Sequence, residues 1–306
     1  MIDMRTLFDK LHTTSAREHP MHVEPYHLED LKFAYCCHVY YRWHTHRRKP
    51  IHAMSTITSE QIEAERPQVH ILNLEVSNNA VELALLASLL PTDSIAIAAS
   101  KIKGGVSKIL TRQIGEHTKK LATGYFAATA GPRASDELYK YLDRQSHRHG
   151  YDKRADPPVY VRTWPNGTHD IQRLQANHSR SMVRWHLVLA TWNRRGTFSK
   201  RAAAAIVDRW EELSGDLRFL FHKVSFLPDH VHLAVRTHPA VVPANLVLKF
   251  LNSSQELMKD RFDDLLIRTG NPRVWKPSAY IGTYGDLANT QVQAYLKDWR
   301  SGNAIA

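Results

Sequence analysis

Cysteine is nearly absent from this chain, with two residues, Cys36 and Cys37, among 306. Neighbours on a strand point to opposite faces, so these two do not bridge one another and a disulfide framework is excluded. Long apolar runs are also missing. The longest, residues 81–90, contains Glu82 and stops at Pro91, well short of the ~18 apolar residues that a membrane span needs. The first ten residues carry Asp3 and Asp9 and no apolar block followed by small residues, which is not the pattern of a secretory leader. The expectation is a cytoplasmic protein with no membrane partner. Acidic residues are in deficit too, with 30 Asp and Glu against 41 Lys and Arg and a formal net charge of +11. Such a surface attracts polyanions, and a phosphate backbone is the commonest polyanion in a cell. What is present is ordinary for a globular chain: 43% hydrophobic, 23% charged, and enough length for two domains.

The chain reads as one pattern written twice. An aromatic, apolar stretch ending in a basic pair occurs as CHVYYRWHTHRRK at residues 37–49 and as WHLVLATWNRRG at 185–196. A weakly helical segment leads in each copy to a further strand, LEVSNNAVELALLAS at 74–88 and VSFLPDHVHLAVRTH at 224–238. Setting His38 against His186 and Glu82 against His232 aligns the copies. Helices follow at 91–110 and 243–258, where apolar residues recur at three and four. Each copy closes with a strand and a helix, GYFAATAGPRASDELYKYLDRQ at 124–145 and AYIGTYGDLANTQVQAYLKDW at 279–299, which pairs Tyr125 with Tyr280 and Tyr141 with Tyr295.

The expected fold is α+β: two tandem domains of the ferredoxin or RNA-recognition kind, each an antiparallel sheet with helices on one face. A pseudo-twofold axis would relate them, making the single chain an internal dimer. Pro, Gly and Asn cluster at 154–170, which marks a connector. The predicted division is an extension at 1–26, a first domain at 27–150, a linker at 151–181, a second domain at 182–300 and a tail at 301–306.

The sharpest local signal is PDHVHLAV at 228–235. On a strand His230 and His232 project from one face while Val231 turns to the core. Two adjacent imidazoles form half of a divalent metal site. With the helix LKFLNSSQ, the strand WKPSAYIGTYG and a terminal helix bearing a tyrosine, the chain resembles the single-tyrosine HUH transposases. These comprise the TnpA-type enzymes of insertion sequences and the REP-associated tyrosine transposases. The first copy, with GYFAATAG and KIKGGVSKIL, resembles them as well, but carries Ala80 and Glu82 in place of the histidines.

The resemblance implies cleavage and rejoining of single-stranded DNA at hairpin-flanked ends of a mobile element or repeat, in association with the nucleoid. It implies that His230, His232 and a Gln hold Mg²⁺ or Mn²⁺ against the scissile phosphate, and that a helix-borne tyrosine attacks in line to leave a 5′-phosphotyrosine. Gln145 follows Tyr141 by one helical turn, whereas Trp299 follows Tyr295. Neither copy is complete alone. Exchange of helices between the copies assembles Tyr141, Gln145, His230 and His232; the alternative keeps Tyr295 as nucleophile, with Asp298 or water as third ligand. Arg47, Arg48, Lys49, Arg194 and Arg195 are candidates for phosphate contacts, and Trp43 and Trp192 for stacking on unpaired bases. Rival readings are a non-catalytic pseudodimer that still binds hairpin or single-stranded DNA, an RNA-binding module, and a hydrolase using water. The last is disfavoured because no carboxylate base is evident beside the histidine pair.

Overall fold

The computed structural model describes residues 26–115, 120–144, 159–165, 171–270 and 272–285. In the first half, β1 (Lys32–Cys36) and β2 (His38–His44) are followed by α1 (Ser59–Glu65), the hairpin β3 (His70–Val76) and β4 (Glu82–Ser88), α2 (Ile95–Ile114), β5 (Tyr125–Ala130) and α3 (Ser135–Asp143). After β6 (Tyr160–Thr163) the second half contains β7 (Ser179–Thr191), α4 (Lys200–Glu212), the hairpin β8 (Phe219–Leu227) and β9 (His230–Thr237), α5 (Pro243–Arg261), α6 (Asp263–Thr269) and β10 (Trp275–Thr283). Two segments read from the sequence as single strands, 74–88 and 224–238, are therefore each the end of one strand, a turn and a second strand. β6 lies inside the predicted linker and pairs with the edge of β8.

Local signals account for the helices. In α2 the Ser94 hydroxyl accepts from Ile97 N at 3.2 Å, which satisfies one amide left over at the helix start. Ile95, Ala98, Ile102, Val106 and Ile109 follow on the buried side, and Gly115 ends the helix in the left-handed region at φ 72°. α5 starts at Pro243, whose missing N–H costs nothing in the first turn.

All strands join one ten-stranded sheet. The first half runs β3-β4-β2-β5 and the second β8-β9-β7-β10, the same order relative to the chain, with every one of these pairings antiparallel. The halves meet through two parallel pairings, β1 with β10 and the first residues of β7 with β5. Two threonines sit at corresponding places in this seam. Thr129 Oγ1 accepts from Arg184 N at 3.0 Å and lies 2.9 Å from Tyr284 O. Thr283 Oγ1 accepts from His38 N at 2.9 Å and lies 2.5 Å from Ala130 O. Gly131 faces the Thr283 carbonyl and Gly285 the Thr129 carbonyl, where a Cβ would stand 1.9 and 2.5 Å from the oxygen. Only glycine fits so close a backbone approach.

One core runs through both halves, with Tyr41, Trp43, Trp185, Trp210 and Trp275 among its largest members. It collects residues of α1, α2, α4 and α5 on one side of the sheet. α3 does not follow the expectation of helices on a single face. Its Leu138 and Leu142 form a separate cluster with Ala234 of β9 and Tyr284, on the side of β9 opposite Val231, Leu233 and Val235.

Candidate active site at the junction of the two halves

β9 carries the site because alternation decides its faces. Val231 is fully buried in the main core, while His230 and His232, 1% and 4% exposed, sit on the other side. Their rings are 5.0 Å apart between centroids and inclined at 72°. His230 Nδ1 lies 2.5 Å from Asp229 Oδ1, and Arg194 Nε donates to Asp229 Oδ2 at 2.8 Å. His232 Nδ1 lies 3.0 Å from Nε2 of His186, which stands on the neighbouring strand β7. Burial, with Arg133 nearby, lowers the His186 imidazole to about 3, so it is neutral at ordinary pH and available to a neighbouring N–H.

Across this face lies α3, a helix of the first half. Leu138 and Leu142, four residues apart on one face, pack on Ala234 and Tyr284. Lys223 Nζ of β8 meets Asp143 Oδ1 at 2.5 Å, and the Ser225 hydroxyl donates to Leu142 O at 3.3 Å. This docking brings Tyr141 edge-on to His232, with ring centroids 5.7 Å apart, and to His186 at 6.2 Å. The Arg133 guanidinium covers the Tyr141 ring at 3.8 Å. Thus the structure brings together Tyr141, His230 and His232 from opposite halves. Gln145 and Tyr295, with Asp298 and Trp299, lie outside the described residues. Among the described residues no group of three or more His, Cys, Asp or Glu side chains could hold a metal ion.

The remaining sequence candidates divide. Arg47, Arg48 and Lys49 are exposed, as phosphate contacts require. Arg194 is committed to Asp229, and Arg195 donates to the Thr269 carbonyl. Trp43 does not suit base stacking: it is 1% exposed and stacks on Tyr41 at 5.4 Å. Trp192 is half-buried in the turn after β7, where its backbone N–H donates to Val274 O.

Strand pairing sets the two halves in a different register from the one read off the sequence. With Thr129 and Thr283 in equivalent roles, His38 corresponds to Arg184, so Tyr40 corresponds to His186. The pairing of β2 with β4 and of β7 with β9 then sets Glu82 against His230 and Ala84 against His232. Ala80 lies in the turn before β4, at φ 52°. Glu82 is engaged by Arg42 at 3.7 Å and His44 at 3.4 Å, which fills that position with an ion pair. Three residues escaped the sequence reading: His186, Asp229 and Arg133. Asp229 stands in the PDHVH run beside His230, and its carboxylate overturns the view that none accompanies the histidines.

Residues 179–298 match the family model described as transposase IS200 like. Over these residues the second half of the chain is similar to that transposase family. The match begins with β7 and takes in His186, Asp229, His230 and His232, whereas Tyr141 lies ahead of it. Among solved structures, a crystal structure from Deinococcus radiodurans assigned as a transposase is 19% identical, covering 40% of this chain and 90% of that one with a TM-score of 0.31. No curated protein matches the chain. None of the helices among the described residues is long and apolar enough to cross a membrane.

Proposed function

We propose that this protein is a transposase that nicks and rejoins single-stranded DNA at hairpin-flanked ends, with Tyr141 as nucleophile and His230 and His232 as metal ligands. One observation carries the reading: the Tyr141 ring lies 5.7 Å from the His232 ring although the two belong to different halves. The Tyr141 oxygen attacks the scissile phosphorus in line. A bond from phosphorus to Tyr141 forms as the bond to the 3′ oxygen breaks, leaving a 5′-phosphotyrosine and a 3′-hydroxyl that receives the proton. Attack by the 3′-hydroxyl of another strand reverses the step and rejoins DNA without an external energy source.

The donor set suits Mg²⁺ or Mn²⁺ in part. Two imidazoles, each engaged at Nδ1, would present Nε2 to an ion, with Gln145, four residues after Tyr141 in the sequence, as the third ligand. Bound there, the ion offsets negative charge developing on the phosphate oxygens. Arg133 fixes the tyrosine ring, and the exposed Arg47, Arg48 and Lys49 add positive surface for the strand. The opposite position, with Glu82 tied to Arg42 and His44, takes no part in cleavage.

The chain is read as a tandem duplication, divided near the connector at 151–181, that forms its own pseudodimer. The common strand order and the reciprocal Thr129 and Thr283 contacts support this. Mass spectrometry after incubation with single-stranded hairpin DNA and Mn²⁺ tests the activity. A nucleotide adduct on Tyr141 is the expected result. Absence of any tyrosine adduct, with DNA binding intact, would favour a non-catalytic binder.

A further inference from the structure

We infer that Arg194 and Asp229 are positioning residues that lock His230 in the tautomer a metal requires; this rests on the reading of His230 as a ligand. Asp229 is 6% exposed and sits between two donors, His230 Nδ1 at 2.5 Å and Arg194 Nε at 2.8 Å. A carboxylate offers only acceptors, so the proton of His230 resides on Nδ1 and the lone pair on Nε2. A carboxylate behind a metal-bound histidine fixes the ring and raises its basicity.

The backbone is built to hold this arrangement. Asn193 and Arg194 both adopt positive φ, 54° and 55°, which side chains other than glycine rarely do. This turn sends the Arg194 side chain back toward the strand. Thr191 ties the turn to the acid: its N–H donates to Asp229 O at 2.8 Å, and its hydroxyl lies 2.7 Å from Arg195 O. The first half provides an internal comparison. Arg47 and Arg48 repeat the turn at φ 55° and 53°, and Thr45 N donates to Val81 O at 2.9 Å. There Val81 stands in the place of Asp229 and Glu82 in the place of His230. The geometry of the turn is common to both halves, but the acid occurs only where the histidine does.

The experiment uses the full chain and Mn²⁺ alone, with free ion measured by electron paramagnetic resonance, and long-range proton–nitrogen spectra of metal-free protein labelled at histidine. Wild type should show His230 protonated at Nδ1. Asp229→Ala should mix the tautomers and weaken Mn²⁺ binding about 10- to 100-fold. Asp229→Asn, which keeps an oxygen acceptor, should lose less, and Arg194→Lys should recover much of what Arg194→Ala loses. Thermal melts identify any variant that fails to fold, and Asp229→Asn then carries the comparison. An Asp229→Ala protein that keeps the Nδ1 tautomer and binds Mn²⁺ within twofold of wild type overturns the role. His230→Ala separates the two ideas. If it weakens Mn²⁺ binding while Asp229→Ala does not, the metal site stands and the positioning role falls; if His230→Ala changes nothing, both fall.

Discussion

Alanine at Gly131 would place a methyl group where the two halves approach most closely. Its Cβ would stand 1.9 Å from Thr283 O, 2.6 Å from the Thr283 carbonyl carbon and 2.8 Å from Tyr284 Cα. All three are backbone atoms, so no side chain can swing aside. Even close carbon–oxygen contacts are about 3.3 Å, and the seam must open by more than about 1 Å. That movement stretches the contact of Thr283 Oγ1 with Ala130 O and that of Thr129 Oγ1 with Tyr284 O, now 2.5 and 2.9 Å. Each buried hydrogen bond lost costs about 1 kcal/mol, and overpacking adds about 1–3 kcal/mol. The sum, about 3–5 kcal/mol, is a large share of the ~5–15 kcal/mol that holds a typical protein together. At about 2–4 °C per kcal/mol for chains of comparable size, the melting temperature should fall by roughly 10 °C in calorimetry. Gly215, which has nothing within 4 Å of its Cβ position, is the control, and Gly215→Ala should melt within about 2 °C of wild type. A Gly131→Ala protein that melts with the wild type would refute the seam described above.

Three further outcomes are expected. His232→Ala should abolish cleavage of hairpin DNA while leaving affinity within about twofold in a filter-binding assay, because the basic surface and not the imidazole holds the strand. Leu142→Ala removes a fully buried side chain from beneath α3; it should cost about 2–5 kcal/mol of packing and slow tyrosine–DNA adduct formation at least tenfold, measured by quench-flow. His38, lowered from 6.5 to about 4 by burial, stays neutral in the folded chain while the unfolded chain protonates it. Its contribution is therefore whole above pH 6.5 and is lost as pH falls toward 4, about 3 kcal/mol in all. Urea titrations at pH 7 and pH 5 should show a smaller loss for His38→Gln than for wild type.

Alternation and helical spacing made part of this legible from residues alone. The His230-Val231-His232 strand follows from a period of two, and α2 and α5 from apolar residues at three and four. The repeated wording at 37–49 and 185–196 falls on β2 and β7, which hold matching places in the strand order. Register did not follow, because one histidine and one tyrosine are weak anchors when strands may slide by two residues and keep their faces. The two hairpins were hidden because their short turns, at 77–81 and 228–229, interrupt apolar runs only briefly. His186 acquires its place through a cross-strand neighbour that no local pattern names, whereas Asp229 stands next to His230 in the sequence and only its pairing with Arg194 is long-range. Trp43 looked available for stacking because an aromatic beside a basic turn reads alike whether it faces water or the core.

In the proposed composite site a tyrosine of the first half serves histidines of the second. Labelled single-stranded hairpin DNA and Mn²⁺, incubated in parallel with Tyr141→Phe and Tyr295→Phe, test it most directly by the covalent protein–DNA band on a denaturing gel. The band should disappear with Tyr141→Phe and persist with Tyr295→Phe. A band that survives Tyr141→Phe and disappears with Tyr295→Phe would place the chemistry within the second half and contradict the composite site.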